Sequence, residues 1–238
     1  MTTLVFTLAS AAANVLGAAA LLIRRKWSTA SLELLLGVAA GFMISVALLQ
    51  MLPAAYAGGG ASAAAVVLAG FVLVHLTQHV LAAHFHFGEE RHEVAASVRV
   101  SALVGLGVHT LVDGVAIVSG FAVSDALGVL VFLAIFLHKF PEGLAIGSVF
   151  LASGASRGQA LGAAALLGAF TVAGGLLATA VAPLQVHGLA LSAGVTLYVA
   201  ASNLVPELQK QRRWPLAAAF LAGCALYLLA SSLTSSLA

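Results

Sequence analysis

Five residues able to do chemistry lie inside two strongly apolar stretches. His109 and Asp113 fall in G-L-G-V-H-T-L-V-D-G-V-A-I, and His138, Lys139 and Glu142 in F-L-H-K-F-P-E-G-L-A-I-G. A charge at the centre of a bilayer costs about 2.5–3.5 kcal/mol, so Asp113, Lys139 and Glu142 would cost roughly 8–10 kcal/mol if each stood alone in lipid. The spacing shows how that cost is offset. His109 and Asp113 are four residues apart, as are His138 and Glu142, which puts each pair on one helix face a turn apart. Two antiparallel helices presenting such faces to each other gather two imidazoles and two carboxylates, a ligand set for a first-row metal. Zinc is the first expectation, and ferrous iron, manganese, cadmium and cobalt also suit these donors. Monovalent copper would want Cys or several Met, and magnesium a nearly all-oxygen set. A buried polar network that only held the bundle together would not need the His-x3-carboxylate repeat twice.

The elements that must position these residues are transmembrane helices. The chain has 238 residues, 62% hydrophobic and 8% charged, with mean hydropathy +1.11. So few charges cannot cover a water-soluble domain of this length, and the chain reads as one all-α integral membrane domain, 1–238. Apolar segments of spanning length run over 4–23, 34–52, 63–83, 98–121, 127–150, 160–181, 188–205 and 215–233, eight helices in all. The net charge of +2 points to no nucleic-acid partner, and the lone Cys224 excludes an internal disulfide or a thiolate metal cage. Of the ten Lys and Arg residues, all but Lys139 fall in alternate loops: Arg24, Arg25 and Lys26; Arg91 and Arg99; Arg157; Lys210, Arg212 and Arg213. The positive-inside rule makes those loops cytoplasmic and both termini extracytoplasmic, in a multi-pass protein of the cell membrane. The first apolar run has no positive charge before it and three after, the reverse of a cleavable signal peptide, so it is expected to remain as a helix.

An internal repeat is visible. Residues 40–53, A-G-F-M-I-S-V-A-L-L-Q-M-L-P, lie over residues 193–206, A-G-V-T-L-Y-V-A-A-S-N-L-V-P, with Gln50 and Asn203 in one register. The second segment runs outward and the seventh inward, so the match describes an inverted repeat of helices one to three with six to eight. Helices four and five are left as a central pair, in a 3+2+3 arrangement. Pro141, between His138 and Glu142, has no N–H and is expected to bend the fifth helix and free the Leu137 carbonyl at ligand depth.

H-T-L-V-D-G followed by H-K-F-P-E-G in adjacent helices resembles the ZIP (Zrt-, Irt-like protein) family of divalent metal transporters. L-L-Q-M-L-P closing the second helix and N-L-V-P-E closing the seventh support the resemblance. It implies a metal path into the cytoplasm, with ligands His109, Asp113, His138 and Glu142, and with Gln50 and Met43 of the second helix nearby. Two positions depart from the family pattern. Thr110 and Val112 stand where many members have Asn and Pro. Lys139 stands where members with two adjacent metals place a polar or acidic ligand, and an ammonium cannot bind a cation. Lys139 is therefore expected to take the place of a second ion; a plain ion pair with Glu142 is the alternative.

The remaining polar residues carry two readings each. His75 and His79, with Gln78, form an exit relay or a hydrogen-bonded pair that packs the third helix. His84, His86 and His92, with Glu89, Glu90 and Glu93, form a loop that buffers metal or is simply solvated. Glu207 lines the exit or sits at the interface, and Asp125 is a helix cap or an attractor of cations. The rival function is an intramembrane zinc-dependent hydrolase, although H-E-x-x-H is absent, H-L-T-Q-H being the nearest approach. The partners expected are the lipid bilayer and a divalent metal ion as substrate, with homodimerisation left open and no catalytic cofactor.

Overall fold

The computed structural model describes residues 2–23, 29–81, 96–209 and 213–234. Among them every regular element is helical: α1 (Thr2–Ile23), α2 (Thr29–Val46), α3 (Leu52–Leu76), α4 (Ala96–Val123), α5 (Asp125–Ala152), α6 (Arg157–Ala180), α7 (Ala182–Tyr198), the short α8 (Val205–Gln209) and α9 (Trp214–Thr234). Seven helical stretches are long and apolar enough to cross a membrane, one of them the continuous run Ala30–His79.

That run departs from the sequence reading, which separated 34–52 from 63–83. α3 begins at Leu52, and within it only Gly60 leaves helical geometry, at φ 56° and ψ −143°, a conformation open to a residue without Cβ. The seventh segment likewise starts earlier than 188, because Pro183 sits in the first turn of α7, where its missing N–H costs nothing. α5 runs unbroken through Pro141. Its N-cap is Ser124, whose Oγ accepts the Leu127 N–H at 3.1 Å; Asp125 is not the cap but lies in the first turn, where the helix dipole favours an anion.

Three stretches widen into π-helix: Ala47–Met51, Thr77–Leu81 and Val199–Leu204. In the first, the Leu52 N–H bonds the Ala47 carbonyl, and in the third the Val205 N–H bonds the Ala200 carbonyl. These bonds fall in one register of the internal repeat, each one residue before a proline, Pro53 or Pro206. Proline offers no N–H to the carbonyl four residues back and crowds it, and a widened turn relieves both problems.

Helix pairs close by exchanging glycines. A Cβ on Gly143 of α5 would lie 1.9 Å from the Asn14 carbonyl oxygen of α1, and one on Gly17 would lie 2.1 Å from that of Phe140. Gly114 and Gly174 make the same exchange between α4 and α6, Gly70 and Gly194 between α3 and α7, and Gly41 and Gly223 between α2 and α9. With no hydrophobic drive between helices in lipid, such backbone approach is what holds them. α4 and α5 also pack on each other, with α1 and α6 behind them, while α5 meets α2 and α4 meets α7.

Candidate metal centre

α4 supplies His109, Thr110 and Asp113, α5 supplies His138, Lys139 and Glu142, and all six are buried. One ligand atom from each of His109, Asp113, His138 and Glu142 can be chosen so that all lie within 4.8 Å of one another. A tetrahedral ion bound at 2.0–2.2 Å would draw such atoms to about 3.4 Å apart, a modest contraction.

The protons argue for a cation at this point. His138 Nδ1 lies 2.9 Å from the Ala134 carbonyl, which can only accept, so the neutral ring carries its proton there and turns an Nε2 lone pair toward Asp113 Oδ2 at 3.3 Å. His109 Nε2 lies 3.3 Å from Asp113 Oδ2 and 3.3 Å from Glu142 Oε2, and neither of its ring nitrogens has a hydrogen-bond partner. A neutral His138 thus turns a lone pair to a carboxylate oxygen, a repulsion that a cation beside it relieves.

Lys139 supplies part of that charge. Its Nζ is 2.8 Å from Asp113 Oδ2 and 2.9 Å from Glu142 Oε2, so it bridges both carboxylates rather than pairing with Glu142 alone. It also donates to Thr110 Oγ1 at 3.3 Å. Glu142 Oε1 is taken by three helices at once: Asn14 Nδ2 of α1 donates at 2.9 Å, Thr110 Oγ1 of α4 at 3.1 Å and Lys139 Nζ of α5 at 3.1 Å. Oε2 is the oxygen left facing His109.

Asn14 is the residue that sequence reasoning missed. It is fully buried, and its only signal was a side-chain amide in the interior of an otherwise apolar first helix. The other predicted residues fall at varying distances from the centre. Asn203 lines a cavity of about 20 Å³ together with Leu36, Leu106, His109, His138, Pro141, Glu142, Val199 and Leu204, which holds room for about one water. Neither Gln50 nor Met43 is among those residues; Gln50 sits in the first π-turn, and Met43 is buried in the apolar core. Gln78 Oε1 accepts from Asn203 Nδ2 at 2.9 Å. His75 and His79 stack on α3 and the following π-turn beside Tyr198, away from the quartet. Glu207 is half-buried on α8. The loop holding His84, His86 and His92 lies outside the described residues.

A bundle of membrane-length helices in which imidazoles and carboxylates converge is the architecture of a multi-pass membrane protein with a cluster able to hold a metal ion. Residues 89–231, more than half of the chain, match the family model described as ZIP Zinc transporter, and the chain belongs to that family. It is 32% identical to zinc transporter ZIP9-B of Xenopus laevis over 152 residues, covering 58% of this chain and 50% of that protein. It is also 32% identical to zinc transporter ZIP10 of Danio rerio over 118 residues, 48% of this chain and 14% of that protein. The chain thus spans about half the length, or less, of these curated relatives. Membership, with its membrane-length apolar helices, makes it a multi-pass membrane protein.

Proposed function

We propose that this protein moves zinc across the membrane into the cytoplasm through the site formed by His109, Asp113, His138 and Glu142. Iron, manganese and cadmium are secondary cargoes consistent with the same donors. The observation that carries this reading is the buried quartet itself, whose imidazole nitrogens lie 3.3 Å from carboxylate oxygens. The printed names of the relatives, zinc transporters, support the choice of metal.

The proposed topology is eight spans with extracytoplasmic termini in the 3+2+3 arrangement, the break at Gly60 dividing the run Ala30–His79 into two. The matched π-turns at Gln50 and Asn203 favour the repeat. So do the reciprocal glycines, since the α1–α5 pair mirrors α6–α4 and the α2–α9 pair mirrors α7–α3.

The cavity supports the direction. On the positive-inside topology α4 starts in the cytoplasm and α7 runs toward it, so Leu106 and Asn203 lie on the cytoplasmic side of the quartet, while Pro141 sits between two of its ligands. On the other side Met43, Ile117, Leu130 and Val131 are buried in the apolar core. Asn203 and Glu207 then mark the way inward.

We also propose that one ion is carried at a time. Asp113, Glu142 and Lys139 leave one net negative charge, which a divalent ion reverses by one unit; a second such ion would leave an excess that a low-dielectric interior penalises heavily.

Zinc influx into proteoliposomes loaded with a zinc-sensitive dye tests the function. Influx is expected for the natural protein and is expected to be lost in His109→Ala. Equal influx in both proteins, or hydrolysis of a lipid amide without ion movement, would count against transport through this site.

A further inference from the structure

A second cluster of metal-ligating side chains lies at the end of the third span, clear of the quartet. His75 and His79 are one turn apart on α3 and its π-turn, with ring centroids 4.7 Å apart and planes inclined by 20°. Both Nδ1 atoms face one phenol: Tyr198 Oη of α7 is 3.0 Å from that of His79 and 3.5 Å from that of His75. His79 Nδ1 is also 3.2 Å from the His75 carbonyl, which only accepts, so neutral His79 carries its proton on Nδ1.

In imidazole the two nitrogen lone-pair directions diverge widely. With both Nδ1 atoms turned to Tyr198, both Nε2 atoms therefore face away from α7, on the exposed side of the helix. No hydrogen bond reaches either Nε2 among the described residues. Packing does not explain the pair, because Phe71 already seats Tyr198 edge-on at 5.0 Å. Their place in the chain favours access to water, since the third apolar segment gives way within a few residues to the polar sequence from His84 to Glu93.

We propose that His75 and His79 form a separate surface site for a borderline divalent ion such as zinc, copper(II) or nickel. Their Nε2 atoms chelate the ion, and Tyr198 orients both rings from behind. The phenol oxygen has two lone pairs and can accept an N–H from each ring, the outer-shell support that ligating histidines ordinarily receive. Two nitrogens bound at 2.0–2.1 Å lie up to about 4 Å apart, so the two rings must rotate out of their stacked pose, about χ1 and χ2, until their in-plane lone pairs converge on the ion. Water fills the remaining positions. The site is independent of the quartet, and metal binding here does not require that the quartet bind.

The test uses the full chain in detergent with His84, His86 and His92 replaced by Ala, so that the intervening loop contributes no imidazole. Copper(II) titration followed by electron paramagnetic resonance, run in the His109→Ala background to disable the quartet, is expected to show one equivalent with two nitrogen ligands that disappears when His75→Ala or His79→Ala is added. Tyr198→Phe should keep that equivalent but weaken it about 10-fold or more. His75→Gln serves if the alanine variant fails to fold. In the His109→Ala background, absence of a two-nitrogen copper equivalent, or one unchanged by the His75 and His79 substitutions, would overturn the proposal. A quartet that binds nothing while this equivalent persists would sink the transport reading and leave the surface site standing.

Discussion

Both oxygens of Glu142 accept from Lys139, at 3.1 and 2.9 Å, but Asn14 and Thr110 donate only to Oε1, while Oε2 also lies 3.3 Å from His109 Nε2. The carboxylate should therefore bind metal through Oε2, with Asn14 holding Oε1. Asn14→Ala is expected to lower zinc affinity about 10- to 100-fold, the usual cost of losing an outer-shell partner, while leaving the metal-free fold near its natural melting temperature. A competition titration against a chromogenic chelator reads the affinity, and an unchanged value would assign Asn14 to packing alone. Lys139→Met is a different case. It strands two buried carboxylates, so the metal-free protein should lose about 3–5 kcal/mol and recover most of it on adding zinc, read as a shift in thermal melting. The quartet was legible in the sequence because charges inside apolar helices are costly enough that their spacing has to mean something. Asn14 was not, because its partner is 128 residues away and a lone amide among Ala and Leu carries no periodicity.

At the scale of elements, glycine pairs and π-turns decide where the quartet sits. Gly143→Ala pushes a methyl group into the Asn14 backbone, and the expected result is loss of the folded bundle or a steep fall in its melting temperature. Gly162→Ala, with nothing within 4 Å of the new methyl, should be neutral or stabilising by up to about 1 kcal/mol. Equal effects from both substitutions would show that close helix approach does not govern stability. Hydropathy located the spans because lipid demands about 20 apolar residues per crossing. It set the start of the third at 63, near the break at Gly60, but left 53–62 outside any helix although only Gly60 departs from helical geometry there. The π-turns were not legible either: they follow from how a proline reshapes the turn before it, which hydropathy does not register. The repeat that places both prolines was visible.

For the molecule as a whole, the site's chemistry couples metal to protons. Imidazoles bind only when neutral and carboxylates when ionised, so zinc binding should release protons and weaken as the medium is acidified. Calorimetry in two buffers of different ionisation enthalpy reads the proton count, and identical heats would contradict the coupling. The central claim is narrower: one divalent ion, mid-membrane, on His109, Asp113, His138 and Glu142. Anomalous diffraction from crystals soaked in zinc tests it most directly. The account predicts one peak between α4 and α5, within about 2.2 Å of a nitrogen from each histidine and an oxygen from each carboxylate. Two peaks there, or none where the four side chains meet, would contradict it.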